Sequence, residues 1–314
     1  MTAFKEPSRR EFLAGSIAAG AAGLGSRLIA ADTRPSEPEV KREETWQIGC
    51  YTRPWGGHEY RIALDAIAEA GFKYVGLMTA KSPTNLILSS ATTPDEAARV
   101  GEEVKKRGLK VANVYAGDFF STEPDAAVRA LRRMIDASAI VGSPGLMLGG
   151  SGDPKHNDDY YRTVAACCDY AAQKNIGLSI KPHGGLNATG PQCRRAIEFV
   201  GHRNFRLWYD PGNIYYYSEG RLDPVDDAAM VDGLVVGMSV KDYLHPKNVD
   251  VTPGTGKVDF AAVMARLKKG GFTRGPLIVE TLARGDLPTL LSEAKKARRF
   301  VEDLTAGRIA ATRP

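Results

Sequence analysis

The sequence has few of the residues from which multi-metal and disulfide-based sites are built. Its 314 residues include only 5 His and 4 Cys. Two of the cysteines, Cys167 and Cys168, are neighbours, and no cysteine spacing matches a zinc site or a disulfide framework. The composition therefore speaks against a histidine-rich cluster of several metal ions. It predicts that all four cysteines are buried free thiols.

Several other signals are also absent. No Gly-x-Gly-x-x-Gly follows the first predicted strand and there is no phosphate loop, so dinucleotide and nucleoside triphosphate binding lose their main support. The formal charge is +5, of which +2 lies within residues 1–31, and this is too weak a balance to indicate nucleic acid. No apolar run after residue 31 reaches the ~20 residues that span a bilayer. A small molecule is therefore the expected partner.

The first 31 residues have the pattern of an export signal. Ser8-Arg9-Arg10-Glu11-Phe12-Leu13 precedes a mildly apolar, Ala- and Gly-rich run that ends in Leu28–Ala31. This resembles a twin-arginine (Tat) signal with cleavage after Ala31, which predicts an exported, periplasmic or otherwise extracytoplasmic protein. A short amphipathic helix is the alternative. Residues 32–45 are charged and contain proline, which indicates a linker.

From Trp46 onward, strand-like and helical segments alternate. Short apolar runs such as Gln47–Tyr51 are followed by amphipathic stretches such as Pro94–Arg107. We count eight strands that alternate with helices, and this alternation predicts a parallel sheet closed into a barrel. The expected fold class is α/β, a single-domain (β/α)8 TIM barrel over residues 46–304 with a short tail at 305–314.

Polar or charged residues stand at the ends of the predicted strands five to eight. In Gly177–Gly185 the side chains alternate between two faces, so Ser179, Lys181 and His183 share one of them. The next three apolar runs end in Asp210, Ser239–Asp242 and Glu280. Polar groups at the carboxyl ends of parallel barrel strands build an active site, and we expect these residues to converge there.

Each of these residues also has a structural interpretation. Asp210 lies in Asp-Pro-Gly-Asn, a sequence of residues that turns prefer. Lys241 and Asp242 could form an ordinary ion pair at the start of a loop. His183 could hydrogen-bond beside a ligand without contacting it. Glu280 has the clearest functional signal, because a carboxylate at the end of Leu-Ile-Val is costly to bury without a partner.

These strand ends resemble those of the xylose isomerase-like barrels, also called the sugar phosphate isomerase/epimerase group. The motifs that carry the resemblance are Lys181-Pro-His-Gly, Tyr209-Asp-Pro-Gly-Asn213, Ser239-Val-Lys-Asp242, Gly254-Thr-Gly-Lys-Val-Asp-Phe260 and Glu280. Their order and spacing fit over nearly the whole chain after residue 46. The resemblance implies a carbohydrate-binding enzyme with one divalent metal ion (Mn, Mg, Co or Zn), held by Glu, Asp, His and Glu from four successive strands.

Two of the four metal positions depart from this pattern. Asp210 and Glu280 match it, but Lys181 replaces a Glu and Ser239 replaces a His. An ammonium facing two carboxylates keeps its proton and has no lone pair for a metal. Three arrangements follow: a metal on His183, Asp210 and Glu280; the Lys181 ammonium in the place of the cation; or a site that binds sugar without reacting.

The expected activity is isomerisation, epimerisation or a related elimination on a sugar or keto-sugar. In this hypothesis Glu280 removes the proton beside the carbonyl, a metal or Lys181 stabilises the oxyanion, and Lys181 or His183 returns the proton. Candidate substrate-binding residues are Arg53, Trp55, Asn213 and Lys241. Aromatic residues cluster at or just after the predicted strand ends and would suit a carbohydrate: Tyr51, Trp55, Phe119, Phe120, Trp208 and Tyr215–Tyr217. A non-catalytic carbohydrate-binding barrel is the alternative function, and an endonuclease would need the histidines that this chain lacks.

Overall fold

The structure is a computed structural model that describes residues 46–312. Its eight strands are all parallel to their neighbours and follow one another around the barrel in chain order. They are β1 (Trp46–Tyr51), β2 (Tyr74–Leu77), β3 (Lys110–Ala116), β4 (Gly145–Leu148), β5 (Gly177–Ile180), β6 (Phe205–Tyr209), β7 (Val235–Val240) and β8 (Gly275–Val279). Strand β8 pairs with β1, with Trp46 opposite Gly275, and this pairing closes the barrel.

Helices lie between successive strands, as the alternation in the sequence predicts. They are α1 (Tyr60–Glu69), α2 (Pro94–Lys106), α3 (Pro124–Ile140), α4 (Asn157–Gln173), α5 (Gly190–Val200), α6 (Pro211–Tyr217), α7 (Pro224–Ala228), α8 (Phe260–Lys269) and α9 (Leu287–Thr305). Two short helices, α6 and α7, share the connection from β6 to β7. The predicted (β/α)8 TIM barrel is therefore confirmed. The predicted signal and linker at residues 1–45 lie outside the described residues.

Local sequence signals fix several helix starts. Helix α2 begins at Pro94 behind a capping box, in which the Thr93 hydroxyl accepts from the backbone N–H of Glu96 and the Glu96 carboxylate accepts from the N–H of Thr93. Proline is favoured there because the first turn of a helix has no use for its missing N–H. Helix α6 begins in a related way, because the Asp210 carboxylate caps its first turn. Asp210 therefore has the turn-forming role that its sequence indicates.

The barrel interior holds a small apolar cluster, separate from the main core between sheet and helices. Its buried members are Tyr51, Met78, Ala112, Met147, Trp208 and Ile278. Two glycines make room for its rings. A Cβ at Gly76 would lie 2.2 Å from the Tyr51 ring, and one at Gly237 would lie 2.4 Å from the Trp208 ring. Any larger residue at either position would force the ring out of the interior.

Residues 46–312 contain neither a membrane-spanning helix nor a disulfide bond. Within that range, no helix has both the length and the apolar character needed to cross a bilayer. The cysteines there, Cys50, Cys167, Cys168 and Cys193, are free and buried, as expected. Burial raises the pKa of each thiol, so none is a ready nucleophile.

Candidate functional site

Four charged residues each directly follow one of the last four strands. Lys181 follows β5, Asp210 follows β6, Lys241 follows β7 and Glu280 follows β8. Because parallel strands end at the same side of a barrel, the four side chains converge on one point. All four are buried; Lys181, for example, is 1% exposed. We call them the charged network.

Each lysine of the charged network contacts both carboxylates. The Nζ of Lys181 lies 2.6 Å from Oε2 of Glu280 and 2.9 Å from Oδ2 of Asp210. The Nζ of Lys241 lies 2.5 Å from Oε1 of Glu280 and 3.3 Å from Oδ2 of Asp210. With two positive and two negative groups, the network is electrically balanced, which is what makes its burial tolerable.

Neutral groups hold the two carboxylates in place. The Asp210 Oδ1 accepts from the backbone N–H of Asn213 at 2.9 Å, and the Asn213 side-chain amide donates to the Pro182 carbonyl at 2.6 Å. The Ser239 hydroxyl donates to Oε2 of Glu280 at 2.6 Å and accepts from the Trp208 indole N–H at 3.1 Å. Ser239, which stands where the resembling family has a metal ligand, is thus a hydrogen-bond donor here.

The network separates the pKa values of its two lysines. Burial lowers the pKa of Lys181, but Asp210 and Glu280 outweigh it and raise that pKa overall, so this side chain stays an ammonium. At Lys241 burial prevails, helped by repulsion from Lys181 and Arg53, and the pKa is lowered. Burial also opposes the charge of Glu280, but Lys181 and Lys241 hold the pKa of this carboxyl well below its usual range.

The residues of the charged network do not fit a divalent metal. Two ammonium groups already occupy the positions between Asp210 and Glu280 where a cation would lie. Neither has a lone pair while protonated, and a third positive ion there would be repelled. Among residues 46–312, no three His, Cys, Asp or Glu side chains are grouped so as to hold a metal ion. The structure therefore does not bring His183, Asp210 and Glu280 together as the predicted ligand set.

His183 lies at the mouth of the barrel, outside the charged network. Its ring centroid is 6.4 Å from that of Tyr115 and 6.0 Å from that of Tyr217. Desolvation, together with the ammonium groups of Lys181 and Lys241, lowers the pKa of the imidazole to about 4. His183 is therefore neutral at pH 7. Its catalytic role stays a prediction.

The predicted substrate-binding residues separate into three groups. Lys241 is a member of the charged network, and Asn213 contacts it, with its Oδ1 3.1 Å from the Lys241 Nζ. The Arg53 side chain is 33% exposed, and its positive charge helps to lower the pKa of Glu280. Trp55, in contrast, is 1% exposed and packs in the main core. With so little of its surface exposed, it has none to present to a sugar.

Most of the predicted aromatic cluster is also buried. Tyr51 and Trp208 fill the barrel interior, and Phe119 packs in the main core. The aromatic rings that flank His183 are those of Tyr115 and Tyr217. Tyr115 was not among the predicted residues, although its place near the end of β3 is a signal that strand alternation could have used.

Lys241 and Asp242 do not pair with each other. Lys241 points into the charged network, whereas the Asp242 carboxylate accepts from four backbone N–H groups, those of Tyr243, Gly254, Gly256 and Val258. Neighbouring side chains at a strand end face opposite ways, so the two residues have different functions. Asp242 anchors the glycine-rich loop that follows β7.

Comparisons with known proteins agree with this architecture. The family described as "Xylose isomerase-like TIM barrel" matches residues 64–304. A search of curated proteins gave no match.

Solved structures with a similar fold include three enzymes. An L-ribulose 3-epimerase is 16% identical, with 86% of this chain and 100% of that chain covered and a TM-score of 0.64. A D-allulose 3-epimerase from Methylomonas sp., in complex with D-allulose, is 19% identical over 83% and 97% of the two chains, with a TM-score of 0.63. A probable 3-DHS dehydratase from Bacillus anthracis is 15% identical over 80% and 98%, with a TM-score of 0.61. At such identities the likeness shows the fold alone.

Proposed function

Because the chain belongs to the xylose isomerase-like TIM barrel family, we propose that it moves a proton at the carbon beside the carbonyl of a sugar or keto-sugar. The observation that carries this proposal is the charged network at the ends of β5 to β8, where barrel enzymes hold their catalytic groups. Epimerases and a dehydratase among the similar structures support this class of reaction. Isomerisation, epimerisation and elimination all begin with this step.

Lys181 is the fixed cation of the proposed site. Its two carboxylate contacts hold it as an ammonium, and an ammonium has three N–H groups. One of them donates to Glu280, and the ammonium also lies 2.9 Å from Oδ2 of Asp210, which leaves at least one N–H for a substrate oxygen. When the proton beside the carbonyl leaves, negative charge develops on that oxygen. A positioned ammonium in a buried site stabilises such an oxyanion strongly.

Lys241 is the proton-accepting group of the proposed site. Its pKa is lowered, so a larger fraction of it is the neutral amine than of an ordinary lysine. The neutral Nζ takes the proton from carbon and becomes an ammonium. The electron pair of the C–H bond forms the C=C bond of an enolate, and the π pair of the carbonyl moves onto its oxygen. Return of the proton to the former carbonyl carbon, with transfer of the neighbouring hydroxyl proton to the former carbonyl oxygen, completes an isomerisation. Protonation of the original carbon on its opposite face by a second donor, for which Lys181 is the ammonium available, completes an epimerisation.

Glu280, the base of the hypothesis drawn from sequence, has a different role in this proposal. Both of its oxygens are engaged, one by Lys241 and the other by Lys181 and Ser239, and its pKa is well below the usual range. A carboxylate with so low a proton affinity is a weak base. Glu280 instead holds the two lysines at a fixed separation.

A binding barrel without catalysis is the second candidate. The observation that favours it is the burial of the charged network, because a balanced set of four buried charges can also serve as a purely structural core. In that case a sugar would bind above the network and leave unchanged.

Exchange of carbon-bound hydrogen in D2O separates the two candidates. The purified protein is incubated with a panel of ketoses, aldoses and keto-sugar acids, and deuterium beside each carbonyl is followed by NMR. We expect exchange that Lys241→Met slows by about 10²- to 10⁴-fold. We also expect the rate to rise with pH below the ordinary lysine pKa, since Lys241 must lose its proton to act. Lys247→Met, at an exposed lysine paired with Glu219, is the matched control.

The exchange experiment has a clear opposite outcome. If a sugar binds to the folded wild type, shown by calorimetry, yet acquires no deuterium, the enzyme proposal fails and the binding barrel takes its place. If exchange persists in Lys241→Met, the base is another residue.

We also propose that the protein is exported, because residues 8–13 carry the twin-arginine pattern followed by an apolar run. The measurement is the amino terminus of the mature protein in its native host, expected after Ala31. An intact amino terminus in the cytoplasmic fraction would contradict export.

A further inference from the structure

A cavity of about 450 Å³ lies beside the charged network, between the loops that follow β1 and β8. We call it the arginine pocket. Its lining residues include Arg53, Gly57, Asp250, Thr281 and Arg284. Thr281 directly follows Glu280, and the Arg53 charge contributes to the lowered pKa of both Glu280 and Lys241. The pocket and the network are therefore parts of one mouth.

The charges of the arginine pocket are not balanced. Arg284 takes one oxygen of Asp250, with its Nε at 2.6 Å and its Nη2 at 2.5 Å from Oδ2. Arg53 lies farther from the other oxygen of Asp250. Its Nη1 is 4.0 Å from Oδ1, which is beyond hydrogen-bonding distance. Two guanidinium groups against one carboxylate leave a charge of one positive unit. Among residues 46–312 no hydrogen bond of the Arg53 guanidinium is found, so its donors can serve a ligand.

Thr281 adds an independent sign of a missing partner. Its hydroxyl is buried, with the residue 2% exposed, and within the described part of the chain it has no hydrogen-bond partner. A buried hydroxyl without a partner costs free energy. The adjoining backbone is fixed, because the N–H of Ala283 donates to the Thr252 hydroxyl at 3.1 Å. A ligand oxygen in the pocket would satisfy this donor.

We propose that the arginine pocket binds a carboxylate of the substrate, so that the substrate class is sugar acids. This inference rests on the proposed function for its link to turnover, but the binding site itself does not. A planar guanidinium matches a carboxylate with two parallel hydrogen bonds. One surplus positive unit balances a singly charged carboxylate, whereas a phosphate carries up to two negative charges. In this proposal a carboxylate bound by Arg53 holds the sugar near Lys241 and Glu280, whose pKa values the Arg53 charge lowers.

Calorimetry with matched sugars tests the carboxylate site directly. D-glucuronate, D-glucose, D-glucose 6-phosphate and inorganic phosphate are titrated into the wild type and into Arg53→Gln. We expect glucuronate to bind more tightly than the other three. We expect Arg53→Gln to weaken it by about 10- to 100-fold, the effect of one charge-assisted hydrogen-bonded contact. Arg162→Gln, on the exposed face of α4, is the arginine control.

A second pair of variants acts by charge alone. A Cβ added at Gly57 meets no atom within 4 Å, so a side chain there enters open space. Gly57→Asp brings a negative charge to the pocket, and Gly57→Asn brings the same volume without charge. We expect Asp to weaken glucuronate binding at least 10-fold more than Asn, with unchanged circular dichroism in both.

Two outcomes overturn the carboxylate site: glucose or phosphate binding as tightly as glucuronate, or Arg53→Gln leaving glucuronate affinity unchanged. The proposed function fails separately. Glucuronate and keto-sugar acids that bind through Arg53 but exchange no hydrogen would leave the pocket standing without catalysis. Exchange on neutral sugars with no preference for acids would leave the catalysis standing without the pocket.

Discussion

The two halves of the barrel mouth differ in the residue that follows each strand. After β5, β6, β7 and β8 this residue is charged, and the four form the charged network. After β1, β2, β3 and β4 it is Thr52, Met78, Gly117 and Gly149. A Cβ at Gly149 would lie 2.8 Å from the Tyr115 hydroxyl, so this position has no room for a side chain. The second half therefore supplies the charges, and the first half supplies the space beside them.

The largest effect should come from removing one charge of the second half. Lys181→Met leaves Asp210 and Glu280 with one ammonium between them, and a broken buried ion pair costs about 3–5 kcal/mol of the free energy of unfolding. Deuterium exchange beside a carbonyl should fall about 10²- to 10³-fold, as when an oxyanion donor is lost. Chemical denaturation and NMR measure the two effects.

A double variant controls for charge balance. Lys181→Met with Asp210→Asn removes one charge of each sign, so we expect it to be more stable than Lys181→Met alone. Equal stability of the single and double variants would contradict the coupling that the 2.9 Å contact implies.

A buried carboxylate outside the charged network, Asp227, sharpens the comparison, because within residues 46–312 it forms no ion pair. Asp227 accepts from the Gly190 N–H and the Tyr209 hydroxyl, and burial raises its pKa from 3.8 to about 6. Between these values the folded protein binds more protons than the unfolded chain, so the free energy of unfolding falls as pH rises through this window. The fall is about 3 kcal/mol.

Asp227→Asn should remove this dependence. Thermal unfolding of the variant between pH 4 and 6 is then expected to show a flatter profile than the wild type. Parallel profiles for the two proteins would mean that Asp227 keeps an ordinary pKa in the folded state.

The smallest effect on stability and on exchange should come from a substitution in the uncharged half of the mouth. Met78 lies in the apolar cluster of the barrel interior, and its backbone N–H donates to the Thr52 hydroxyl. Met78→Leu conserves volume, so we expect it to lower the free energy of unfolding by less than about 1.5 kcal/mol. We expect the rate of deuterium exchange beside the sugar carbonyl to stay unchanged. If Met78→Leu slowed deuterium exchange as much as Lys181→Met, the assignment of catalysis to the charged half of the mouth would be wrong.

The sequence predicted the barrel because its signal is repeated eight times. Strand and helix patterns alternate from Trp46 onward, and prolines mark helix starts at Pro94 and Pro124, where α2 and α3 begin. An error in one segment would not change the count of units. Lys181 as a cation facing Asp210 and Glu280 also followed from strand order, because consecutive strand ends are neighbours in a parallel barrel.

The contacts of long side chains could not be predicted in the same way. Lys241 reaches Glu280 through four rotatable bonds, and sequence spacing does not determine where such a chain ends. Trp55 belongs to the same problem, since its position after β1 fits both the mouth and the core, and packing places it in the core. The arginine pocket joins residues of the loops that follow β1, β2, β7 and β8, and that proximity exists only in the folded chain.

The pairing of β1 with β8 sets the time at which this protein can fold. The ribosome makes Trp46 early, but its partner Gly275 emerges only when the chain is almost finished. Until then, both edges of the growing sheet lack hydrogen-bonding partners, and such edges attract other chains. A nascent or truncated chain that ends before β8 therefore exposes two unpaired strand edges, whereas closure of the barrel leaves none.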